Sequence, residues 1–370
     1  MVFTDFLKLM VHKKASDLFI TAGVPPSLKV DGKIFPITKQ ALTPENSRDL
    51  AYSVMNEEQR RRFEASNECN FALNPQEIGR FRVNIFVQQS RVGMVLRTIQ
   101  TYIPKFEELY LPPIMKDIAM TKRGLCIFVG GTGTGKSTSM AAMVGYRNEQ
   151  DYGHIITVED PIEFVHEHKN CIVTQREIGV DTESWEAALT NAMRQAPDVI
   201  QIGEIRHRET MDNAIVFAET GHLCISTLHA NNTYQAMDRV INFFPSERRA
   251  QLLMDMSMNL KAMISQRLLP IKHGKGRVPA VEILINTPLI ADLILKGKID
   301  EIHDVMERST EHGMMTYDQS LFDLFEKGLI SYDEAIKNAE SQNDLRLKIK
   351  LESKSTEGGE LGDTLRNVTF

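Results

Sequence analysis

The chain lacks the marks of a secreted, membrane-spanning or zinc-stabilised protein. Its 370 residues hold four cysteines, Cys69, Cys126, Cys171 and Cys224, widely spaced and with no C-x-x-C pair. That pattern offers neither a zinc knuckle nor a disulfide framework, and it favours a reducing compartment in which each thiol is a small buried hydrophobe. No uncharged apolar run approaches the ~18 residues of a membrane span. The stretch Met1 to Lys14 carries charges through its apolar pattern and has no signal-peptide cleavage region. There is no internal repeat. Nor is there an excess of positive charge: the formal net charge is −6. Broad nonspecific nucleic-acid binding is therefore not expected, and only a local basic groove could hide in that sum. What remains is a cytosolic protein, free to dock on a membrane partner, with 42% apolar residues. At this length that fills two real cores.

Against these absences one segment is dense with chemistry. Gly130-Gly-Thr-Gly-Thr-Gly-Lys-Ser137 follows directly on the apolar run Leu125-Cys-Ile-Phe-Val129. Strand, glycine-rich loop, then lysine and serine is the order of a phosphate-binding loop. Gly130, Gly131, Gly133 and Gly135 bring backbone N–H groups close to phosphate oxygens, with Thr132 and Thr134 completing the loop. Lys136 reaches the β- and γ-phosphates, and the Ser137 hydroxyl can ligate Mg2+. A helix expected over Thr138 to Arg147 turns its positive end to the anion. The expected ligand is ATP with Mg2+.

The pattern changes near residue 100. From Ser16 to Ile99 short alternating runs predict strands at 17–21, 27–30, 80–87 and 93–99. Asp31-Gly32 is a hairpin signal, and Thr43 is a candidate N-cap for one or two helices over 44–64. This gives a small α+β domain over 1–100, with no catalytic motif of its own. The proline-bearing stretch 101–113 reads as a linker or hinge. From residue 114 to 350 strands alternate with helices, as in a nucleotide-binding α/β core with a parallel sheet, and the pattern is wholly helical beyond Asp300. Residues 351–370 read as a polar, disordered tail.

Three further clusters lie in the second part. Ile155-Ile-Thr-Val-Glu-Asp-Pro-Ile-Glu163 empties a buried strand into carboxylates, where an α/β sheet places chemistry. Glu159, Asp160 and Glu163 could hold magnesium, orient water, or simply be solvated acids. Asp198-Val-Ile-Gln-Ile-Gly-Glu204 delivers an acid from an apolar run, and Glu204 is the first choice to polarise attacking water. Thr220-Gly-His-Leu-Cys-Ile-Ser-Thr-Leu-His229 sets two histidines seven residues apart around a strand. An odd separation puts them on opposite faces, which disfavours a shared metal. His222 and His229 read as γ-phosphate sensors or as structural hydrogen-bonders. Phosphoryl transfer also needs positive charge beyond one lysine. Arg80, Arg82 and Arg97 are candidates, and an even-numbered hairpin loop would put Arg82 and Arg97 on one face. A clamp on the triphosphate or a solvated sheet face both fit.

In this order the four clusters resemble the Walker A, Asp-box, Walker B and His-box of the secretion ATPases that power type II and type IV pilus machines. The resemblance runs from about Lys14 to Lys350. Ala15-Ser-Asp-Leu18, Gly23-x-Pro-Pro26 and Gly79-Arg-Phe-Arg-Val83 resemble the retraction branch, and no four-cysteine insert is present. It implies a RecA-like P-loop ATPase core behind a smaller PAS-like domain. It also implies a homo-hexameric ring at the cytoplasmic base of a type IV pilus, peripheral to the inner membrane and its platform protein. It supports Glu204 and Glu163 as hydrolysis residues, His222 and His229 as sensors, and Arg82 and Arg97 as phosphate-reaching arginines; Ser137, Glu163 and Glu204 are the expected magnesium donors.

Several positions depart from the retraction motor. After Thr287-Pro288, Ala291 and Leu295 stand where that motor has arginines. Phe19 replaces a histidine, Gly131 a proline, Asn191 an arginine and Ala196 an aspartate. These departures resemble the accessory paralogue, which works beside a retraction ATPase. The expected cycle has Arg82 and Arg97 closing over the phosphates and Glu204, helped by Glu163, directing water; Thr138, the first residue of the expected helix, is counted among the nucleotide-binding residues. Two other classes remain: an ATP-binding adaptor with little turnover, and a DNA-translocating ring.

Overall fold

Alternation in Arg80-Phe-Arg-Val-Asn-Ile-Phe-Val87 puts Phe81, Val83 and Ile85 on one face and the polar residues on the other. That is how a half-buried strand is written. The computed structural model describes residues 3–75, 77–99, 101–274 and 276–353, and the chain forms two units. The first comprises Met1–Tyr102, Pro161–His166 and Glu177–Ser184; the second Ile103–Asp160, Glu167–Arg176 and Trp185–Phe370.

The first unit runs α1 (Phe3–His12), β1 (Asp17–Ile20), β2 (Ser27–Val30), β3 (Lys33–Pro36), α2 (Pro44–Ser53), α3 (Glu57–Ser66), β4 (Glu68–Leu73), β5 (Arg80–Gln88) and β6 (Arg91–Ile99). Its antiparallel sheet has the order β3-β2-β1-β6-β5-β4. Two-residue turns join β2 to β3 and β5 to β6. Asp31 and Gly32 have φ of 49° and 79°, Gln89 and Ser90 of 48° and 60°. These left-handed pairs match the twist of tight hairpins. Thr43 caps α2 by accepting from the N–H of Asn46 at 3.2 Å, with Pro44 opening the helix. Leu18, Phe81, Ile85, Met94 and Met10 fill the core. Burying Phe81 completely is worth roughly 1.5–3 kcal/mol.

The sequence reading missed α1 and β4. In α1 the apolar residues Phe6, Leu7 and Met10 share one buried face. In β4 only Cys69 and Phe71 are buried, too short an alternation to stand out.

The second unit runs α4 (Ile114–Ala119), β7 (Gly124–Val129), α5 (Lys136–Gln150), β8 (His154–Glu159), β9 (Ile172–Glu177), α6 (Trp185–Ala192), β10 (Val199–Ile202), α7 (Arg208–Glu219) and β11 (Leu223–Leu228). It continues with α8 (Thr233–Asn242), α9 (Ser246–Asn259), β12 (Leu260–Pro270), β13 (Arg277–Ile285), α10 (Pro288–Leu295), α11 (Ile302–Arg308), α12 (Tyr317–Glu326), α13 (Tyr332–Asn338) and α14 (Gln342–Glu352). The sheet order is β13-β12-β7-β11-β10-β8-β9. β12, β7, β11, β10 and β8 are parallel neighbours, and β13 returns antiparallel to β12. A hairpin edge thus closes a sheet expected to be parallel. Every residue of β7 and of β11 is buried, as strands covered on both faces require.

Three boundaries differ from expectation. From Ile103 the supposed linker belongs to the second unit, where Phe106 and Leu111 join the core. Residues 161–166, with Glu163, belong to the first unit. The supposed tail begins as helix, since α14 runs to Glu352, and 354–370 lie outside the described residues.

Candidate nucleotide-binding site

The parallel strands β7, β11 and β10 end side by side, and their carboxyl ends carry the chemistry. β7 turns at Gly130, whose φ is +153°. A Cβ there would lie 2.5 Å from the Thr134 hydroxyl and 2.8 Å from the Gln266 carbonyl. Gly135, at φ +87°, would bring a Cβ within 2.7 Å of the Gln266 amide nitrogen. Side chains at these two positions have no room, so the loop keeps its curl only with glycine.

Gln266, buried on β12, holds the loop from beneath. Its amide donates to the Thr134 carbonyl at 2.8 Å, and its oxygen accepts from the Ser139 hydroxyl at 2.8 Å. The sequence reading missed it because no motif surrounds it. Lys136, at the start of α5, folds its Nζ back to donate to the carbonyls of Gly130 at 2.8 Å and Gly131 at 2.7 Å. Burial lowers the Lys136 pKa, and the carboxylate of Glu204 opposes that shift. A cation resting on its own loop's carbonyls, above the N-terminus of a 15-residue helix, fits a phosphate group. Thr132 and Ser137 are exposed, and Thr138 is half-buried.

Glu204 follows β10 and meets two partners. One oxygen lies 3.2 Å from His229 Nε2, and the other accepts from Arg206 Nε at 2.9 Å. Glu204 is 19% exposed in its side chain and Arg206 58%. His229 follows β11 directly. Desolvation, then the charge of Lys136, lowers its pKa, while Glu204 pulls the other way. The shift favours the neutral ring, which can accept one hydrogen bond and donate another. Arg239 of α8 donates to the His229 carbonyl at 2.8 Å. Neither arginine was foreseen, although Arg206, two residues beyond Glu204, is near enough in sequence to reach back. Thr227 fastens β11 to β10 by donating to the Gly203 carbonyl at 2.8 Å.

Other expected residues lie elsewhere. His222 precedes β11, at the opposite end of the strand from the phosphate loop. Seven residues at ~3.3 Å each separate it from His229 by roughly 20 Å. Its Nδ1 faces the Phe217 carbonyl at 3.1 Å and the Thr220 hydroxyl at 3.0 Å. His222 therefore cannot sense a phosphate held by its own chain's loop. Glu159 is buried and accepts from the Thr157 hydroxyl at 2.7 Å and from Gln175 at 3.3 Å, which occupies it within the second unit. Asp160 and Glu163 are exposed.

Arg82 and Arg97 are direct cross-strand neighbours in the first unit, on one face as the even-numbered loop requires. Each is paired: Arg82 with Glu177 at 3.2 Å, Arg97 with Asp17 at 2.8 Å. The Nε of Arg80 is buried without a hydrogen-bond partner.

No group of three or more His, Cys, Asp or Glu side chains able to hold a metal occurs among the described residues. Mg2+ in nucleotide sites takes one or two protein donors and completes its shell with phosphate and water. Ser137, exposed at the start of α5, and Glu204 are the residues that would hold such an ion.

The pattern described as "Type II/IV secretion system protein" matches residues 4–313. The chain belongs to this secretion-system family. It is 60% identical to the type IV pilus ATPase PilU of Pseudomonas aeruginosa, over 96% of this chain and 93% of that protein. It is 42% identical to the type IV pilus retraction ATPase PilT of the same organism, over 91% and 97%. The crystal structure of the pilus retraction motor PilT with bound ADP superposes with a TM-score of 0.85 at 39% identity, covering 93% of this chain and 98% of that one. The mixed α/β fold of this secretion-system protein is thus that of the retraction motor.

Proposed function

We propose that the chain is the ATP-hydrolysing subunit of a motor at the base of a type IV pilus, assisting retraction beside a main retraction ATPase. The observation that carries this is the convergence of Lys136, Glu204 and His229 at the carboxyl ends of β7, β10 and β11. The names of the two Pseudomonas relatives support the pilus setting, and the higher identity to PilU supports the accessory role. So do Ala291 and Leu295, which stand in α10 where the retraction motor has arginines.

In the proposed cycle, ATP displaces the Lys136 ammonium from the Gly130 and Gly131 carbonyls onto its terminal phosphates. The loop N–H groups and the N-terminus of α5 hold the remaining charge. Magnesium, when bound, neutralises phosphate charge next to Ser137 and Glu204. Glu204 leaves Arg206 and, with His229, orients the attacking water. Arg82 and Arg97 exchange their carboxylates for phosphate oxygens, and Glu163 is a further candidate acid in hydrolysis. We propose a homo-hexameric ring, peripheral to the cytoplasmic face of the inner membrane and bearing on the pilus platform protein. No helix among the described residues is long and apolar enough to cross a membrane.

The test is to delete this chain in a piliated cell, with and without its retraction paralogue, and to watch pili shorten. An accessory motor predicts slower or weaker retraction when it alone is missing, and no retraction when only the paralogue is missing. Unimpaired retraction under load without this chain would overturn the accessory role.

A further inference from the structure

The segment His229 to Thr233, which joins β11 to α8, holds the candidate catalytic histidine and is fastened along its length to later parts of the chain. Arg239 takes the His229 carbonyl. The Asn231 carbonyl accepts from Ser265 Oγ and from Arg267, both on β12 and both at 3.4 Å. The Thr233 N–H donates to the buried carboxyl of Glu282 on β13 at 2.8 Å. Asn232 caps α8: its oxygen accepts from the Gln235 N–H at 2.9 Å, and its amide nitrogen donates to Glu340 at 3.2 Å.

Glu340 lies in the turn between α13 and α14, 108 positions further along the chain than Asn232. Its carboxylate also faces Arg267 at 3.8 Å and His303 of α11 at 3.6 Å. Arg267 in turn donates to the Asn338 carbonyl at 3.1 Å and lies over the Tyr317 ring at 4.0 Å. The chemistry of this hub is specific. An amide such as Asn232 can cap a helix only with its oxygen inward, and a carboxylate, which only accepts, must face the nitrogen. Glu340 therefore selects the Asn232 orientation that starts α8 and fixes the exit of His229 from β11.

From this network we infer that Glu340 is a positioning residue, through which the C-terminal helices set the placement of His229 against Glu204. The inference deepens the ATPase reading and rests on it. It gives the helices α11 to α14 a route to the hydrolysis step, so that a load on them alters turnover without touching nucleotide. The coupling runs through packed hydrogen bonds rather than through spatial proximity alone.

The test compares Glu340→Ala and Glu340→Gln with the unaltered full chain. Glu340→Ala should lower kcat about tenfold with nucleotide KM and ADP affinity within about twofold, because a misplaced catalytic group costs rate rather than binding. Glu340→Gln keeps an acceptor for Asn232 and should recover most of the loss. Amide hydrogen exchange in a peptide spanning 229–236 should quicken about tenfold in Glu340→Ala, while that of 130–137 stays unchanged. Unchanged exchange at 229–236 overturns the positioning role whatever the turnover. Unchanged kcat, or affinity falling in step with it, overturns the route to hydrolysis. Absence of turnover in the unaltered protein, with exchange behaving as stated, strikes at the ATPase reading alone.

Discussion

Arg82 shows how a residue can be found in sequence while its present partner is not. The two-residue turn at Gln89-Ser90 makes Arg82 and Arg97 neighbours on one face, which strand periodicity alone foretells. The carboxylates that hold them, Glu177 and Asp17, are far in sequence from both arginines, and no pattern announces them. If Arg82 serves a triphosphate, Arg82→Ala should lower turnover about tenfold or more while nucleotide affinity changes little. Steady-state phosphate release read beside ADP binding checks this; equal losses would make Arg82 a general binding residue. That Lys136, Glu204 and His229 come together was legible because each follows the carboxyl end of a strand of one parallel sheet. Gln266, Arg206 and Arg239 were not, because a hydrogen bond to a backbone carbonyl or a paired acid leaves no spacing to read. Of the two roles open to His222, sensor or structural hydrogen-bonder, the sequence could not choose, because a strand with a histidine at each end does not say which end lies beside the phosphate loop; its contacts with Phe217 and Thr220 are structural.

Among elements, β13 has the sharpest physical signature. Burial pushes the Glu282 carboxyl up to about 7, with the Thr233 N–H pulling it back only in part. His303, whose ring faces the Glu340 carboxylate at 3.6 Å, is raised as well, and Glu340 is lowered by the same pairing. A carboxyl titrating at about 4.3 unfolded and about 7 folded keeps its proton in the native state alone. Stability therefore falls as pH rises through that window, by on the order of 4 kcal/mol at most. The raised His303 acts in the same direction, its contribution fading as pH rises through its folded pKa. The contribution of Glu340 is present above the usual carboxylate pKa and lost as pH falls. Glu282→Gln, which keeps an acceptor for Thr233, should remove most of the drop in melting temperature between pH 5.5 and pH 8. An unaltered drop in thermal unfolding would exclude Glu282 as its source. Elements with a strong period or a glycine-rich exit, such as β5, β7 and α5, were plain in the sequence. The short α1 and β4, and the β12–β13 hairpin edge, depend on tertiary neighbours and were not.

At the scale of the whole molecule, the two-part composition and the phosphate loop were legible, but the division was not simply linear. Pro161–His166 and Glu177–Ser184 leave the second stretch of chain for the first unit. Ile103 onward, proline-rich and charged, packs into the second unit because Phe106 and Leu111 bury there. Composition marks a linker; two apolar side chains are enough to undo it. In the proposed cycle, ATP held at residues 130–137 is cleaved through Glu204. Phosphate release by the purified chain with Mg2+ and ATP, measured beside Glu204→Gln, tests it most directly. The unaltered chain should turn over steadily and the variant should lose about a hundredfold or more, with ATP affinity retained. Equal turnover by the two proteins would contradict it.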